Sequence, residues 1–252
     1  MRGPRFRLRT LLIIITLLCV ILMPMSLHFY RLRVQKQAVA RLQSNGVHLK
    51  YRIDGNEVAS YRLKITRRPE NWIEKQWGVE YAYPIIAVTA QNHSRSIPSS
   101  IAQDVAQLHD LESIEISGVK LKNADVESFA KFRRLKSLSL SESVLDDGPL
   151  NLLDGLKLSA LNLRRTHVSD RSIRGLQNMQ SLTYLNLDRT KISDASVLMI
   201  CQLKNLKTLY IGHSKVTKEG ALRIVRALPN CEVRWAPLSP KENIPDSVLV
   251  DE

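Results

Sequence analysis

The stretch ALNLRRTHVSDRSIRGLQNMQSLTYLNLDRTKISDASVLMICQLKNLKTLYIGHSKV, residues 160–216, contains nearly the same segment three times. Each copy places two apolar residues two positions apart, followed by a small or polar residue and a further apolar residue. Weaker copies begin at 113 and 137. A fixed period of this length predicts a solenoid, in which each repeat packs on its neighbours. The paired apolar positions recur at steps of 24, 23, 24 and 24 residues: Ile114/Ile116, Leu138/Leu140, Leu161/Leu163, Leu185/Leu187 and Leu209/Ile211.

The spacing L-x-x-L-x-L is typical of leucine-rich repeats. We therefore predict an α/β solenoid over residues 85–235, with parallel strands on the concave face and helices on the convex face. Hydroxyls just after the strands should satisfy buried backbone groups, and they belong to Thr166, Thr190 and Ser214. A polar residue at the start of each helix should cap its free N–H groups, as predicted for Asn123, Asp147, Asp170 and Asp194. Lys218 replaces this residue in the last copy, which predicts a weaker cap there.

The net charge of +13 is unevenly distributed. Residues 1–30 contribute +4, residues 31–78 contribute +7 (eleven Lys and Arg against four acids), and residues 79–252 contribute +2. The basic excess therefore lies near the N-terminus, and the repeats are almost neutral. Since no nucleic-acid reader motif accompanies the basic residues, we predict no nucleic-acid partner.

Residues 10–30, TLLIIITLLCVILMPMSLHFY, contain no Asp, Glu, Lys or Arg. A helix of about twenty residues crosses a hydrocarbon core of about 30 Å. We predict an uncleaved transmembrane signal anchor after a basic segment at 1–9. Three alternatives are a cleaved signal peptide, a lipid-modified Cys19 and a buried core helix. A signal peptide would need a small-x-small cleavage site, and a lipid-modified cysteine would need a small residue before it; the sequence has neither. A buried core helix would not explain the flanking arginines.

The orientation of the predicted span is nearly balanced by charge. Four arginines precede the span within residues 1–9, and four basic residues follow it within residues 31–41. The short leading segment favours an N-terminus in the cytoplasm, which would place the repeats on the extracytoplasmic side of a single-pass membrane protein.

Residues 31–84 predict a small α+β cap beside the membrane. RLRVQKQAVARLQSNG predicts a helix that ends at Gly46, and two alternating segments flank the turn signal Asp54-Gly55-Asn56. An aromatic lid over the first repeat would contain Trp72, Trp77, Tyr81 and Tyr83. The polar face of the hairpin either contacts anionic lipid headgroups or is simply solvated, and its cations are Lys50, Arg52, Arg62 and Lys64.

Two repeats, THVSDRSIRGL and TKISDASVLMI, resemble the cysteine-containing class of leucine-rich repeats, with Thr in place of Cys. Most of residues 5–235 also resembles a group of bacterial membrane-anchored leucine-rich-repeat proteins. The segments that carry this resemblance are RFRLRTLL, QAVARLQSNG, NWIEKQWG and KVTKEGALRIVRALPNCEVRW. The resemblance implies an interaction scaffold without catalytic residues.

Motifs for catalysis, metal or cofactors are missing from the sequence. The six histidines lack metal-ligand spacing, and the chain contains no Gly-rich phosphate loop and no nucleophile elbow. Cys201 and Cys231 stand at apolar repeat positions and are expected to be free rather than bridged. We therefore predict no enzyme, no cofactor and no metal site. Residues 236–252 are expected to be disordered, or alternatively docked on the last repeat.

Outward residues of the strands would form a continuous concave surface. The first two strands present mostly serines, whereas the later strands present Arg and Tyr, which are enriched at interface hot spots. The alternative is an ordinary solvated sheet. We predict that a protein or peptide binds residues Arg164, Arg165, Tyr184, Asp188, Arg189, Tyr210 and His213. Other possible roles are a self-associating structural component of the cell envelope, or an accessory subunit of an enzyme.

Overall fold

The computed structural model describes residues 8–53, 56–59, 85–91, 100–108, 110–145, 150–153 and 155–237. Within these residues, nine strands form one sheet. A two-stranded parallel ladder, β5 Lys120–Leu121 with β7 Val144–Leu145, lies beside it. The strands of the main sheet are β1 His48–Ile53, β2 Asn56–Ala59, β3 Ile85–Gln91, β4 Ser113–Ser117, β6 Ser137–Ser139, β8 Ala160–Asn162, β9 Tyr184–Asn186, β10 Thr208–Tyr210 and β11 Glu232–Arg234.

The repeats form the parallel part of this sheet. From β3 to β11, each repeat adds one strand parallel to the previous one. The middle residue of each strand points into the core, and Leu161, Leu185 and Leu209 are completely buried. The period of the apolar pairs therefore predicted both the order of the strands and their inward face.

Short helices cover the other side of the core. They are α2 Ile101–Val105, α3 Asn123–Phe129, α4 Asp170–Ile173, α5 Val197–Ile200 and α6 Lys218–Ala227. Three 3₁₀ turns, Leu150–Leu153, Arg174–Leu176 and Asp194–Ser196, supplement them. Gly155, in the copy that is one residue short, has a φ of 89°, a conformation that favours glycine.

The predicted helix caps are wrong for two of the aspartates. Asp170 is the first residue inside α4, and the capping position before it is occupied by Ser169. The carboxylate of Asp170 instead accepts hydrogen bonds from the N–H and hydroxyl of Ser193 in the next repeat. Asp194 does the same with Thr217. A side chain at the first helical position extends sideways to the neighbouring repeat, so these residues join repeats rather than cap helices.

The other helix starts use different caps. Asn123 is also the first residue of its helix, and Asp125 accepts the N–H of Lys122 before α3. At α6 the hydroxyl of Thr217 accepts the N–H of Gly220 at 3.1 Å. The helix that starts at Lys218 therefore has a side-chain cap, contrary to prediction.

The first helix, α1 Leu8–Ser44, is continuous. Gly46, whose φ is 76°, stops the helix two residues after its last residue, as predicted. The N–H of Gly46 donates to Gln43 C=O and that of Val47 donates to Leu42 C=O, which is a Schellman motif. Ala38 lies in the core, where α1 packs on α2. Among the residues that the structure describes, no helix has the length and apolar composition of a membrane span.

The hairpin β1–β2 forms across the predicted turn, with Ile53 opposite Asn56. β1 also pairs antiparallel with β3, so the cap extends the sheet of the repeats. Leu49 and Tyr51 are fully buried, as their alternation predicted. Several predicted residues lie outside the described part of the chain: Arg62, Lys64, Trp72, Trp77, Tyr81, Tyr83, Asp147, residues 1–7 and residues 238–252.

Candidate protein-binding surface

The face of the sheet that points away from the core, here the outer face, is the predicted concave face. The strand register aligns its residues in rows. The first row contains Ser113, Ser137, Ala160, Tyr184, Thr208 and Glu232. The second row contains Glu115, Ser139, Asn162, Asn186, Tyr210 and Arg234. Apart from Glu115, the outer face therefore carries small side chains at the β4 end and mostly large polar side chains at the β11 end.

An aromatic cluster lies on the last three strands. The rings of Tyr184 and Tyr210 are 5.7 Å apart between centroids and tilted by 52°. The guanidinium carbon of Arg234 lies 5.0 Å from the centroid of Tyr210, within the range of a cation–π contact. Arg234 also donates from Nε to Glu232 at 2.7 Å, and this hydrogen bond raises its pKa further above the ordinary value. The cluster is preorganised, because each large side chain is supported by a neighbour.

Arg234 and Glu232 were not among the predicted site residues. Their sequence signal was the register, which places them one strand beyond Tyr210 in the two rows. We define the aromatic cluster as Tyr184, Tyr210, Glu232 and Arg234. Asn186 supports it from beneath, because its side-chain amide contacts the Tyr184 hydroxyl at 3.3 Å and its carbonyl oxygen accepts the Asp188 N–H at 3.0 Å.

Arg164 and Arg165 meet at a different place, beyond the end of β8. Both donate from Nη1 to the same carboxylate oxygen of Glu142, at 3.3 Å and 3.1 Å. Two cations share one anion, so this part of the surface carries a net charge of +1. All three side chains are more than one third exposed, so the pairs contribute little to stability.

Asp188, Arg189 and His213 belong to the turns that leave the strands. Asp188 Oδ1 accepts the Gly212 N–H at 2.6 Å, so this carboxylate supports the next repeat. Arg189 and His213 have φ values of 55° and 53°. The same left-handed conformation recurs once per repeat, at Gly118, Glu142, Arg165, Arg189 and His213. The N–H of each of these residues donates to a carbonyl of the following repeat, so the conformation serves the solenoid turn.

The predicted hydroxyls are buried in these turns. Thr166 and Thr190 donate to the carbonyls of Leu163 and Leu187 at 2.6 Å, and Ser214 donates to Ile211 at 2.7 Å. They confirm the structural role assigned to them and are not available for a ligand.

The predicted lipid-contact residue Arg52 is engaged within the protein. It binds Glu112 through two hydrogen bonds, at 2.8 Å and 3.1 Å, and Lys136 approaches the same carboxylate at 3.4 Å. The hydrogen bond from Arg52, followed by the nearby positive charges, lowers the pKa of Glu112 to about 2. Lys50, on the same strand, is exposed. The contact joins the cap to the repeats and leaves less positive charge for a lipid surface.

Other possible reactive groups are few in the described residues. Cys201 and Cys231 are free and half-buried, and burial raises the pKa of both thiols. Such thiols are poor nucleophiles at neutral pH. Across the same residues, the side chains of His, Cys, Asp and Glu form no group of three or more that could hold a metal ion.

Comparisons with known proteins agree with the repeat architecture. A family model for a leucine-rich repeat matches residues 178–201, the length of one repeat. None of the curated proteins compared with the chain matches it.

The solved structures similar to this chain include bacterial and plant proteins. An internalin from Listeria monocytogenes is 24% identical, with a TM-score of 0.44 over 52% of this chain and 36% of that one. A leucine-rich-repeat protein from Leptospira interrogans is 24% identical, with a TM-score of 0.29 over 55% of this chain and 28% of that one. The leucine-rich-repeat ectodomain of a receptor kinase from Arabidopsis thaliana is 13% identical, with a TM-score of 0.37 over 82% and 93%.

The chain thus spans 36% of the length of that internalin. The membrane anchor of this chain, and the likeness of its repeats to the cysteine-containing class of leucine-rich repeats, remain predictions. The family match over residues 178–201 and the one-strand-per-repeat sheet lead to the same conclusion: this chain contains a leucine-rich repeat and has a leucine-rich-repeat-like fold with a mostly parallel sheet.

Proposed function

We propose that this chain is a non-catalytic scaffold, tethered to a membrane by residues 10–30, whose outer face binds a protein or peptide. The aromatic cluster carries the proposal. It is the part of the outer face where large side chains replace serines, and it combines Tyr and Arg, the residue types enriched at hot spots.

The cluster fits a protein ligand for two physical reasons. Tyr184 and Tyr210 are half-buried and held by their neighbours, so binding would order few new rotatable bonds. Their rings offer apolar area, while Glu232 and Arg234 at the border offer charged groups. Arg164, Arg165 and Arg189 would extend the contact along the turns beyond the strands.

The partner would first be recovered by proximity labelling of the intact protein, and its affinity then measured with purified components. We expect Tyr184→Ala and Tyr210→Ala each to weaken binding about thirtyfold or more, because losing a hot-spot residue costs at least about 2 kcal/mol. Ser137→Ala is the matched control for Tyr184 and Ser139→Ala for Tyr210, because each serine lies in the same row as that tyrosine on an earlier strand. Equal affinities for the tyrosine and serine variants would refute the proposed site.

Membrane tethering is supported by the exposure of α1. Between residues 17 and 30, α1 exposes large apolar side chains that a water-facing helix would not normally carry. They are Leu17, Leu18, Val20, Leu22, Met23, Leu27, Phe29 and Tyr30. Its C-terminal end is embedded in the cap through Ala38, Val39 and Leu42. We propose that residues 10–30 lie in the bilayer and that the repeats lie on the extracytoplasmic side.

Fractionation and protease accessibility test this part of the proposal. The full chain should stay in the membrane fraction after a carbonate wash, and protease added outside intact cells should digest the repeats. Replacing Leu17 and Val20 with Arg should release the protein, because each Arg near the centre of a span costs roughly 2.5–3.5 kcal/mol. Replacing the same two residues with Ala is the control. A wild-type chain that leaves the membrane on washing would contradict tethering.

A further inference from the structure

Strand β11 lies at one edge of the sheet formed by the described residues. In β11, the N–H of Glu232 donates to Lys207 C=O at 2.8 Å, and the C=O of Arg234 accepts from Ile211 N–H at 2.9 Å. Backbone groups of successive strand residues point to opposite sides, so the N–H and C=O of Val233 point away from β10. Within the described ranges no strand pairs with this side of β11. An open edge of this kind is a template for another strand.

The side chains of β11 have a self-complementary order. Glu232 and Arg234 lie on the outer face, on either side of Val233, and both are more than half exposed. In an antiparallel pair centred on Val233, Glu232 of each copy would face Arg234 of the other. Opposite charges at directly opposed positions stabilise a sheet, and like charges destabilise it. We propose that two copies of this chain associate through their β11 edges about a twofold axis at Val233, extending the sheet from one copy into the next.

The convex side of the same end offers apolar contact. Asp170 and Asp194 both extend to the following repeat, and Lys218 occupies the same position in the last repeat. This side of α6 therefore faces the open end of the solenoid. Val225 follows Lys218 by seven residues on that side and is 45% exposed, whereas Cys201, at the equivalent position of the previous repeat, is half-buried. In the proposed dimer, Val225 of each copy would lie beside the partner copy.

The interface adjoins the proposed ligand contact and shares Glu232 and Arg234 with the aromatic cluster. Arg234 takes part in both, so oligomeric state, not partner binding, is the appropriate measurement. The full chain would be solubilised in detergent, and its protein mass measured by light scattering over a range of concentrations. We expect a reversible equilibrium between monomer and dimer.

Val233→Pro tests the edge itself. Proline removes the N–H that points away from β10 and leaves the hydrogen bonds of Glu232 and Arg234 with β10 in place. We expect this variant to be monomeric at concentrations where the wild type is dimeric. Val233→Ala keeps the N–H and is the matched control, and it should still form dimers.

Charge reversal tests the register. Glu232→Arg and Arg234→Glu each place like charges opposite one another twice per dimer, and each should weaken dimerisation about tenfold or more. An equimolar mixture of the two variants restores opposite charges across the interface and should form a heterodimer. Since both variants lack the ion pair within one chain, rescue by mixing can come only from contacts between copies.

Three results would overturn the proposal. The first is a monomeric wild type at every concentration. The second is association that continues beyond a dimer, which would indicate head-to-tail packing of unlike ends. The third is a mixture of the two charge variants that dimerises no better than either variant alone.

Discussion

Replacing Asp170 with Ala should destabilise the solenoid more than any other single change to a surface carboxylate in the described repeats. Asp170 accepts hydrogen bonds from the N–H and the hydroxyl of Ser193, each at 2.7 Å, and from the hydroxyl of Ser196. Partial burial alone would raise the pKa of Asp170, but these three hydrogen bonds lower it below its ordinary value. The folded state therefore favours the charged form, and the change to Ala removes a charged acceptor that joins two repeats.

The expected loss of folding free energy depends on how deeply the carboxylate and its partners are buried. Hydrogen bonds to a charged group contribute about 1.5–3 kcal/mol each when shielded, but this carboxylate is partly exposed and the full sum does not apply. Ser196 is completely buried, so its hydroxyl would lose its acceptor where water cannot replace it. We therefore expect Asp170→Ala to lower the free energy of unfolding by about 3 kcal/mol, which lowers Tm by roughly 6–12 °C for a domain of this size.

Asp194→Ala is the matched control. Asp194 occupies the same position one repeat later, but it binds only the N–H and hydroxyl of Thr217, which is exposed. Its removal should cost about 1 kcal/mol. Urea unfolding of the full chain, followed by circular dichroism, would give both values. If Asp170→Ala cost no more than Asp194→Ala, or less than about 1 kcal/mol, the buried Ser196 contact would not have the assigned role.

Two further predictions concern contacts between other parts of the chain. Arg52 and Lys136 hold the pKa of Glu112 at about 2, below its ordinary value near 4.5. The charged carboxylate therefore stabilises the folded state above pH 4.5, and this stabilisation is lost as the pH falls toward 2. Because Arg52 is partly exposed, we expect a loss of about 1 kcal/mol between pH 6 and pH 3, measured by urea unfolding, and a smaller loss in Glu112→Gln. In Gly220→Ala, the new Cβ would lie 2.1 Å from Asp194 Oδ1. The change should therefore destabilise the wild type, and it should cost at least about 1 kcal/mol less in the Asp194→Ala background, where Val216 Cγ1, at 3.1 Å, must still shift. Equal effects in both backgrounds, measured in the same assay, would refute the contact.

The buried side of the repeats was predictable because its apolar residues recur at a nearly fixed spacing in the sequence. Leu161, Leu185 and Leu209 recur at fixed steps, and a repeat can bury them only by stacking strands in register. The end of α1 at Gly46 and the hairpin before β3 were predictable from local turn chemistry. The buried hydroxyls of Thr166 and Thr190 followed from their place in the same period.

The aspartates were mispredicted for a physical reason. In S-D-x-S the Asp resembles an N-terminal cap within one repeat, and the local sequence gives no sign of a partner in another. The acceptor Asp170 and its donor Ser193 are 23 residues apart and meet only because the repeats stack. Reading the pattern across repeats, rather than along one, would have paired each Asp with the Ser or Thr that precedes the next helix.

The turns after the strands had no sequence signal at all. Glu142, Arg165 and Arg189 adopt a left-handed conformation that the sequence would assign to glycine, and only Gly118 has the expected residue. The left-handed conformation directs the backbone N–H toward a carbonyl of the next repeat, as in the hydrogen bond from Arg165 N–H to Asp188 C=O. Side chains chosen for other reasons therefore occupy these positions, and their charges lie along the border of the outer face.

The contacts of Asp170 and Asp194 explain why the last described repeat has a different residue at this position. Each of Asp170 and Asp194 is satisfied only by the repeat that follows, so a repeat with Asp at this position requires a successor. The last repeat has Lys218 instead, and in the described chain no further helix follows α6. A lysine needs no donor from a next repeat and can extend its ammonium group into water. Lys218 thus lies at the last helix of the described array, and β11 is the last described strand of its sheet.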